Sequence, residues 1–255
     1  MSGLRAYVDG VERDIPADPF SQWVKREDTA IVSIDMHLGH LSEDPMCPCP
    51  SPRGREIIAP VDAFHRTART AGVAIIHVRS VLRATGEDDL KGLAPAAWRS
   101  LVQLYAEPIP GIDEHAIEGS KWTEFATEVL DKDLVVQTKR RLSPFYPTDL
   151  DFLLRSMGIK RLVINGGMTD CCVLLGAFEA SNLGYRVAVA ADLVRGSNAE
   201  LEHAALRMLS LHCALVMDSA AILEAWGVEP LARTAPHSVD KHKARSASSL
   251  LAQET

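Results

Sequence analysis

Six short apolar runs, separated by stretches of helical spacing or irregular chain, constrain the fold of this chain more than any other feature. They are Thr29-Ala30-Ile31-Val32-Ser33-Ile34, Val73-Ala74-Ile75-Ile76-His77-Val78, Leu134-Val135-Val136-Gln137, Leu162-Val163-Ile164-Asn165, Tyr185-Arg186-Val187-Ala188-Val189-Ala190 and Ala214-Leu215-Val216-Met217. Short, nearly continuous apolar runs rich in β-branched residues read as strands buried on both faces, the pattern of parallel sheets. Pro60 to Thr70, Asp149 to Ser156, Cys172 to Leu183 and Ala199 to Leu211 read as helices, and Gly72 and Gly158 close the first two. Leu223 to Trp226 ends the pattern. This order predicts an α/β fold, a Rossmann-like, mostly parallel six-stranded sheet with helices on both faces. A chain of 255 residues is long enough for one such domain with a substantial core.

The organisation expected is an N-terminal extension over 1–27, a main domain over 28–228, and a polar tail over 229–255 that is flexible or sits in oligomer contacts. The extension holds a short hairpin, Leu4 to Ile15, turning at Asp9-Gly10. The tail carries a His/Lys/Arg patch from His237 to Arg245. A formal net charge of -7 argues against nucleic-acid binding through a basic face. No run approaches the roughly 18 apolar residues of a membrane helix, and no apolar signal core follows Met1-Ser2-Gly3-Leu4-Arg5. Five cysteines without framework spacing point to a reducing compartment, so a cytoplasmic location is expected.

In open α/β sheets, sites form at the carboxyl ends of strands. Asp35 follows the first run, Lys139 the third and Cys172 the fourth, so three residues far apart in sequence are expected at one sheet edge. Cys172 lies in Gly166-Gly167-Met168-Thr169-Asp170-Cys171-Cys172-Val173, a glycine-bearing turn from strand to helix. Backbone N–H groups and the helix dipole there lower a thiol pKa and can hold an oxyanion. Each residue has a plain structural reading as well. Cys172 can be an inert buried thiol, Asp35 a turn cap, and Lys139 part of the solvated run Lys139-Arg140-Arg141. Together they form an amide-hydrolysis set: Cys172 as nucleophile, Asp35 as base, Lys139 as the cation that keeps Asp35 ionised, and the N–H groups of Met168 and Cys172 as oxyanion hole.

The chain resembles the isochorismatase-like cysteine hydrolases over roughly residues 28–225. The resemblance rests on Ala30-Ile31-Val32-Ser33-Ile34-Asp35-Met36, on Thr138-Lys139-Arg140-Arg141-Leu142-Ser143-Pro144-Phe145 with Thr148 and Leu150, and on Asn165-Gly166-Gly167-Met168-Thr169-Asp170-Cys171-Cys172-Val173. Gly184-Tyr185-Arg186-Val187 followed by Ala191-Asp192 is also typical. Membership implies a Rossmann-like sheet, an Asp35-Lys139-Cys172 triad, a cis peptide at Gly167-Met168 and a homo-oligomer, often a dimer or tetramer. It also aligns Cys172 with the nucleophile and leaves Cys171 as a structural neighbour.

Departures from the pattern bear on the substrate. Where the family often continues Asp-Met-Gln-Asn-Asp-Phe, this chain reads Asp35-Met36-His37-Leu38-Gly39-His40. His37 and His40 can meet a polar substrate, a metal, solvent or a subunit. The metal motif that nicotinamidases carry after the second strand is replaced by His77-Val78-Arg79-Ser80-Val81-Leu82-Arg83, so neither a catalytic metal nor another cofactor is expected. Cys47-Pro48-Cys49-Pro50 is spaced too closely for a usual zinc pair and reads as a stiff loop. Substrate contacts are assigned to His37, His40, Arg79, Arg141, Phe145 and Tyr146, with Arg83 and Arg140 as further candidates. The leading expectation is a hydrolase that cleaves a C–N bond of a small amide, carbamoyl or ureido compound through a thioester. The alternatives are an isochorismate-type vinyl-ether hydrolase and a non-catalytic ligand-binding member.

Overall fold

The structure, a computed structural model, describes residues 3–93 and 95–229; the tail expected over 229–255 lies outside the described residues apart from Glu229. Strands β1 (Leu4–Val8), β2 (Val11–Ile15), β3 (Thr29–Ile34), β4 (Ala74–Ser80), β5 (Leu134–Lys139), β6 (Arg161–Gly167), β7 (Arg186–Arg195) and β8 (Ala214–Met217) join in one sheet. Their order is β2-β1-β8-β7-β6-β3-β4-β5. Every pairing from β8 across to β5 is parallel. The class is as expected, but the sheet has eight strands, not six. The extra pair is the N-terminal hairpin, which pairs antiparallel within itself and docks on β8 through Tyr7 opposite Val216. Its docking partner lies some two hundred residues away in sequence, so local patterning could show the hairpin but not where it adds.

The continuous apolar character of the central strands follows from their two covered faces. On β3, Ala30, Val32 and Ile34 face one core with Ile76, Val78, Leu162 and Ile164, while Ile31 faces the other with Ile75 and Val163. Helices Leu150–Ser156, Leu174–Asn182 and Ala199–His212 cover the first face through residues such as Leu154, Ala177 and Leu209. Helices Ile58–Thr70 and Ser219–Ala225 cover the second through Phe64, Ala68 and Ile222. Pro60 sits in the first turn of its helix, where the missing N–H leaves no intrahelical bond unmade. The helix read from Cys172 begins only at Leu174, because Thr169–Val173 forms a wider π-type turn. Among the described residues, no helix is long and apolar enough to cross a membrane.

The chain runs β3, β4, β5 toward one edge and β6, β7, β8 toward the other, so the topological switch lies between β3 and β6. Those two strands approach closely at Gly166. Its φ is +112°, and a Cβ there would lie 2.1 Å from the Ile34 carbonyl oxygen. Only glycine fits both constraints. Gly166→Ala is therefore expected to cost about 2–3 kcal/mol of stability, measured by chemical denaturation; an unchanged midpoint would show that the two strands separate freely.

Candidate active site

Asp35 follows β3 with φ +53°, a left-handed conformation that Asp tolerates better than most residues. Its N–H donates to the Val78 carbonyl at 2.8 Å, which ties the turn to the end of β4. Lys139, the last residue of β5, reaches the same point because of a register shift. Val78 pairs with Val136, but Ser80 pairs with Lys139, so β5 holds one extra residue between the two pairs. Without it, Lys139 would point to the face opposite Val136. The bulge returns its side chain to the face of Val78 and Ser80, a common use of bulges near sites.

The result is a buried charge pair. Lys139 Nζ lies 2.7 Å from Asp35 Oδ2 and donates to Ser80 Oγ at 2.8 Å. Ser80 donates to Asp35 Oδ1 from both its N–H (3.0 Å) and its hydroxyl (3.1 Å). Burial alone would raise the Asp35 pKa, but the Lys139 charge, helped by His37 and His40, holds it below the usual carboxylate range. Burial alone would lower Lys139; Asp35 and, next, Cys172 turn the shift upward. Ser80 escaped the sequence reading. The only signal was a polar residue at the carboxyl end of an apolar run. Ser80→Ala keeps the backbone bond to Asp35 but removes the hydroxyl shared by both charges. It should cost about 1.5–3 kcal/mol, read by denaturation, and an unchanged stability would deny the hydroxyl that role.

Cys172 lies buried in the turn after β6, packed in the core cluster with Phe145 and Val173. Gly167-Met168 is a cis peptide, as the resemblance implied. The Cys171 and Cys172 sulfurs are 3.8 Å apart, and both thiols are free. The hydrogen bond to Cys171, then burial, hold the Cys172 thiol well above its ordinary range. Cys171, receiving that bond, is lowered despite burial. Lys139 favours the thiolate of both. Two such neighbours titrate as a pair, and a charge on Cys171 opposes ionisation of Cys172.

The other expected site residues divide. His37 lies beside the pair, its Nε2 3.7 Å from Asp35 Oδ1. His40 stacks against it with ring centroids 4.6 Å apart. Arg79 does not turn a free guanidinium toward the pair. It hydrogen-bonds the Thr123 carbonyl, donates to Gln137 Oε1 at 2.9 Å and lies over the Phe125 ring, bracing the 121–125 segment. Arg141 donates to the Asp88 carbonyl at 2.7 Å and so holds the irregular segment after β4. Phe145 is a core residue stacked on Tyr185. Tyr146 is 71% exposed. Arg83 and Arg140 both pair with Asp88. His115 is the residue that sequence offered no means to find: it joins His37 and His40 from an irregular segment 75 residues past His40.

Residues 29–221 match the model of the Isochorismatase domain. The uncharacterized isochorismatase family protein YwoC of Bacillus subtilis is 38% identical over 107 residues, 39% of this chain and 56% of that protein. The match thus spans only about half the length of that relative. Ureidoacrylate amidohydrolase RutB of Agrobacterium fabrum is 26% identical over 180 residues, 67% of this chain and 77% of that one. An isochorismatase-like hydrolase from Alkaliphilus metalliredigens has the same fold, with a TM-score of 0.64 at 26% identity over 78% of this chain and 98% of that chain.

Proposed function

The chain belongs to the Isochorismatase domain family, and on that premise we propose that it is a cysteine-dependent hydrolase cleaving the C–N bond of a small amide, carbamoyl or ureido compound. The observation that carries this reading is the buried Asp35–Lys139 pair, at 2.7 Å, whose charges both act on the Cys172 sulfur. Similarity to a ureidoacrylate amidohydrolase supports the ureido and carbamoyl end of the range.

In the resting site Asp35 is a carboxylate and Cys172 a thiol, as the directions of their shifts require. As Cys172 attacks the substrate carbonyl, its proton passes to Asp35 and a C–S bond forms. Lys139 stays protonated and offsets the loss of the carboxylate charge by attracting the developing thiolate. The N–H groups of Met168 and Cys172 hold the oxyanion, a contribution of about 3–4 kcal/mol in sites of this type. Collapse breaks the C–N bond, Asp35 returns the proton to the departing nitrogen, and ammonia leaves. Asp35 then takes a proton from water, which attacks the thioester, and the proton ends on the released sulfur.

The test is an ammonia-release screen across carbamoyl, ureido and simple amide compounds, with mass analysis of the protein quenched during turnover. The reading expects ammonia from at least one class and an acyl adduct on the peptide that holds Cys172. Turnover without ammonia, or with the adduct elsewhere, would overturn it.

A further inference from the structure

We propose that His37, His40 and His115 form a binding site for one divalent transition-metal ion of the zinc class, beside the Asp35–Lys139 pair. One ligand atom from each of the three lies within 4.8 Å of the others. Ring centroids are 4.6 Å apart for His37 and His40, 5.1 Å for His40 and His115, and 6.0 Å for His37 and His115. Nitrogens bound at about 2.1 Å to one tetrahedral ion lie roughly 3.4 Å apart, so side-chain adjustments of about an ångström would gather them.

The outer contacts of the histidines point the same way. His37 Nδ1 lies 2.9 Å from the Trp122 carbonyl oxygen, and His40 Nδ1 lies 3.0 Å from that of Cys49. A carbonyl only accepts, so each Nδ1 carries the proton and each Nε2 keeps its lone pair. The Gly39 N–H is 3.2 Å from the same His37 nitrogen, but the tautomer it would favour sets two lone pairs facing each other across the shorter contact. An Nδ1–H held by a backbone carbonyl is the usual support of a metal-binding Nε2. Among the described residues, the Nε2 atoms of His37 and His115 are buried and find no hydrogen-bond partner; His37 is fully buried and His115 only 7% exposed. Buried nitrogens without partners are costly, and a bound ion removes that cost.

The local fold is made for this cluster. His37 and His40 stand three residues apart across the short helix Leu38–Leu41, on one side of it. A Cβ on Gly39 would come 2.9 Å from both the His37 ring and the Trp122 carbonyl oxygen, so glycine is required between them. The Asp35 carboxylate adds negative potential 3.7 Å from His37 Nε2. Arg99, whose charge acts on His115, is neutralised by Asp89. The ligand atoms gathered here belong to the three histidines, with no cysteine sulfur in the group. Three imidazoles with no sulfur suit zinc, cobalt, nickel or copper, and three protein ligands leave one position open. His40, the only partly exposed member, marks the side from which an ion arrives.

The test uses full-length, metal-stripped protein titrated with Co²⁺, following the visible absorption of tetrahedral cobalt, with Zn²⁺ as competitor. The expected result is one Co²⁺ per chain, displaced by Zn²⁺. Affinity should fall at least about 100-fold in His115→Ala and in His40→Ala, more than loss of an outer-shell partner costs. His115→Gln and His40→Gln, which preserve volume, should show the same loss with thermal unfolding of the metal-free protein unchanged, so weak binding is not mistaken for misfolding. Absence of saturable Co²⁺ binding in the wild type would overturn the proposal. So would equal affinity in a His40→Gln/His115→Gln double variant, which would place the ion on other histidines. Neither readout depends on hydrolysis, so the metal site and the hydrolytic reading stand or fall separately.

Discussion

Cys172→Ser should lose turnover by about 10⁴-fold or more while the protein keeps its fold. Serine is close in size to cysteine, so the packed turn of Thr169–Val173 has little to adjust. The chemistry changes far more. An alkoxide is much harder to generate than a thiolate, and Asp35, held below the usual carboxylate range by Lys139, is too weak a base to bring it about. The measurement is ammonia release under single-turnover conditions beside a thermal melt. A variant within tenfold of wild type would remove Cys172 from the chemistry. Retained activity in Cys172→Ala would move the reading to vinyl-ether hydrolysis, which needs no thiol nucleophile. Cys171→Ser separates the two sulfurs. Because it leaves the attacking atom in place, its effect should be confined to the pH profile.

Lys139→Met should destabilise the protein by about 3–5 kcal/mol, the cost of stranding a buried charge. The side chains of Lys139 and Asp35 are 2% and 1% exposed, so water cannot take over the role of the partner. In the wild type, the Asp35 pKa is lowered on folding. Its contribution is therefore complete above the unfolded carboxylate value, about 3.9, and is lost as pH falls through the folded value. In Lys139→Met the strongest lowering influence is gone, and burial, the largest contribution, raises the folded pKa of Asp35 against the weaker pull of the Ser80 hydrogen bonds and the nearby histidines. The sign then reverses: the variant binds a proton on folding, so its deficit shrinks as pH is lowered through the raised folded value. Asp35→Asn/Lys139→Met removes both charges and should recover most of the lost stability. Denaturation at several pH values checks both claims. A deficit independent of pH, or a double variant no more stable than Lys139→Met, would show that packing rather than charge sets the cost.

Sequence patterning located the parallel strands because their runs are apolar on both faces, and it placed Asp35, Lys139 and Cys172 because sheet topology brings strand ends together. It missed the addition of the N-terminal hairpin to the sheet, which rests on a pairing between Tyr7 and Val216 that no local pattern encodes. For a similar reason, local patterning does not show which partners a charged side chain meets. Arginines such as Arg79 and Arg141 look free in sequence but each donates to a carbonyl of an irregular segment.

The class of fold and the residue types of the candidate site thus follow from the sequence alone, since periodicity and turn chemistry are local properties. Tertiary structure alone decided the rest. The bulge between β4 and β5 turns Lys139 onto Asp35 and inserts Ser80 between the charges. The course of the long segment between β4 and β5 brings His115 to His37 and His40. Both depend on contacts between residues far apart in the chain, whose energies are set by packing rather than by any pattern of neighbours.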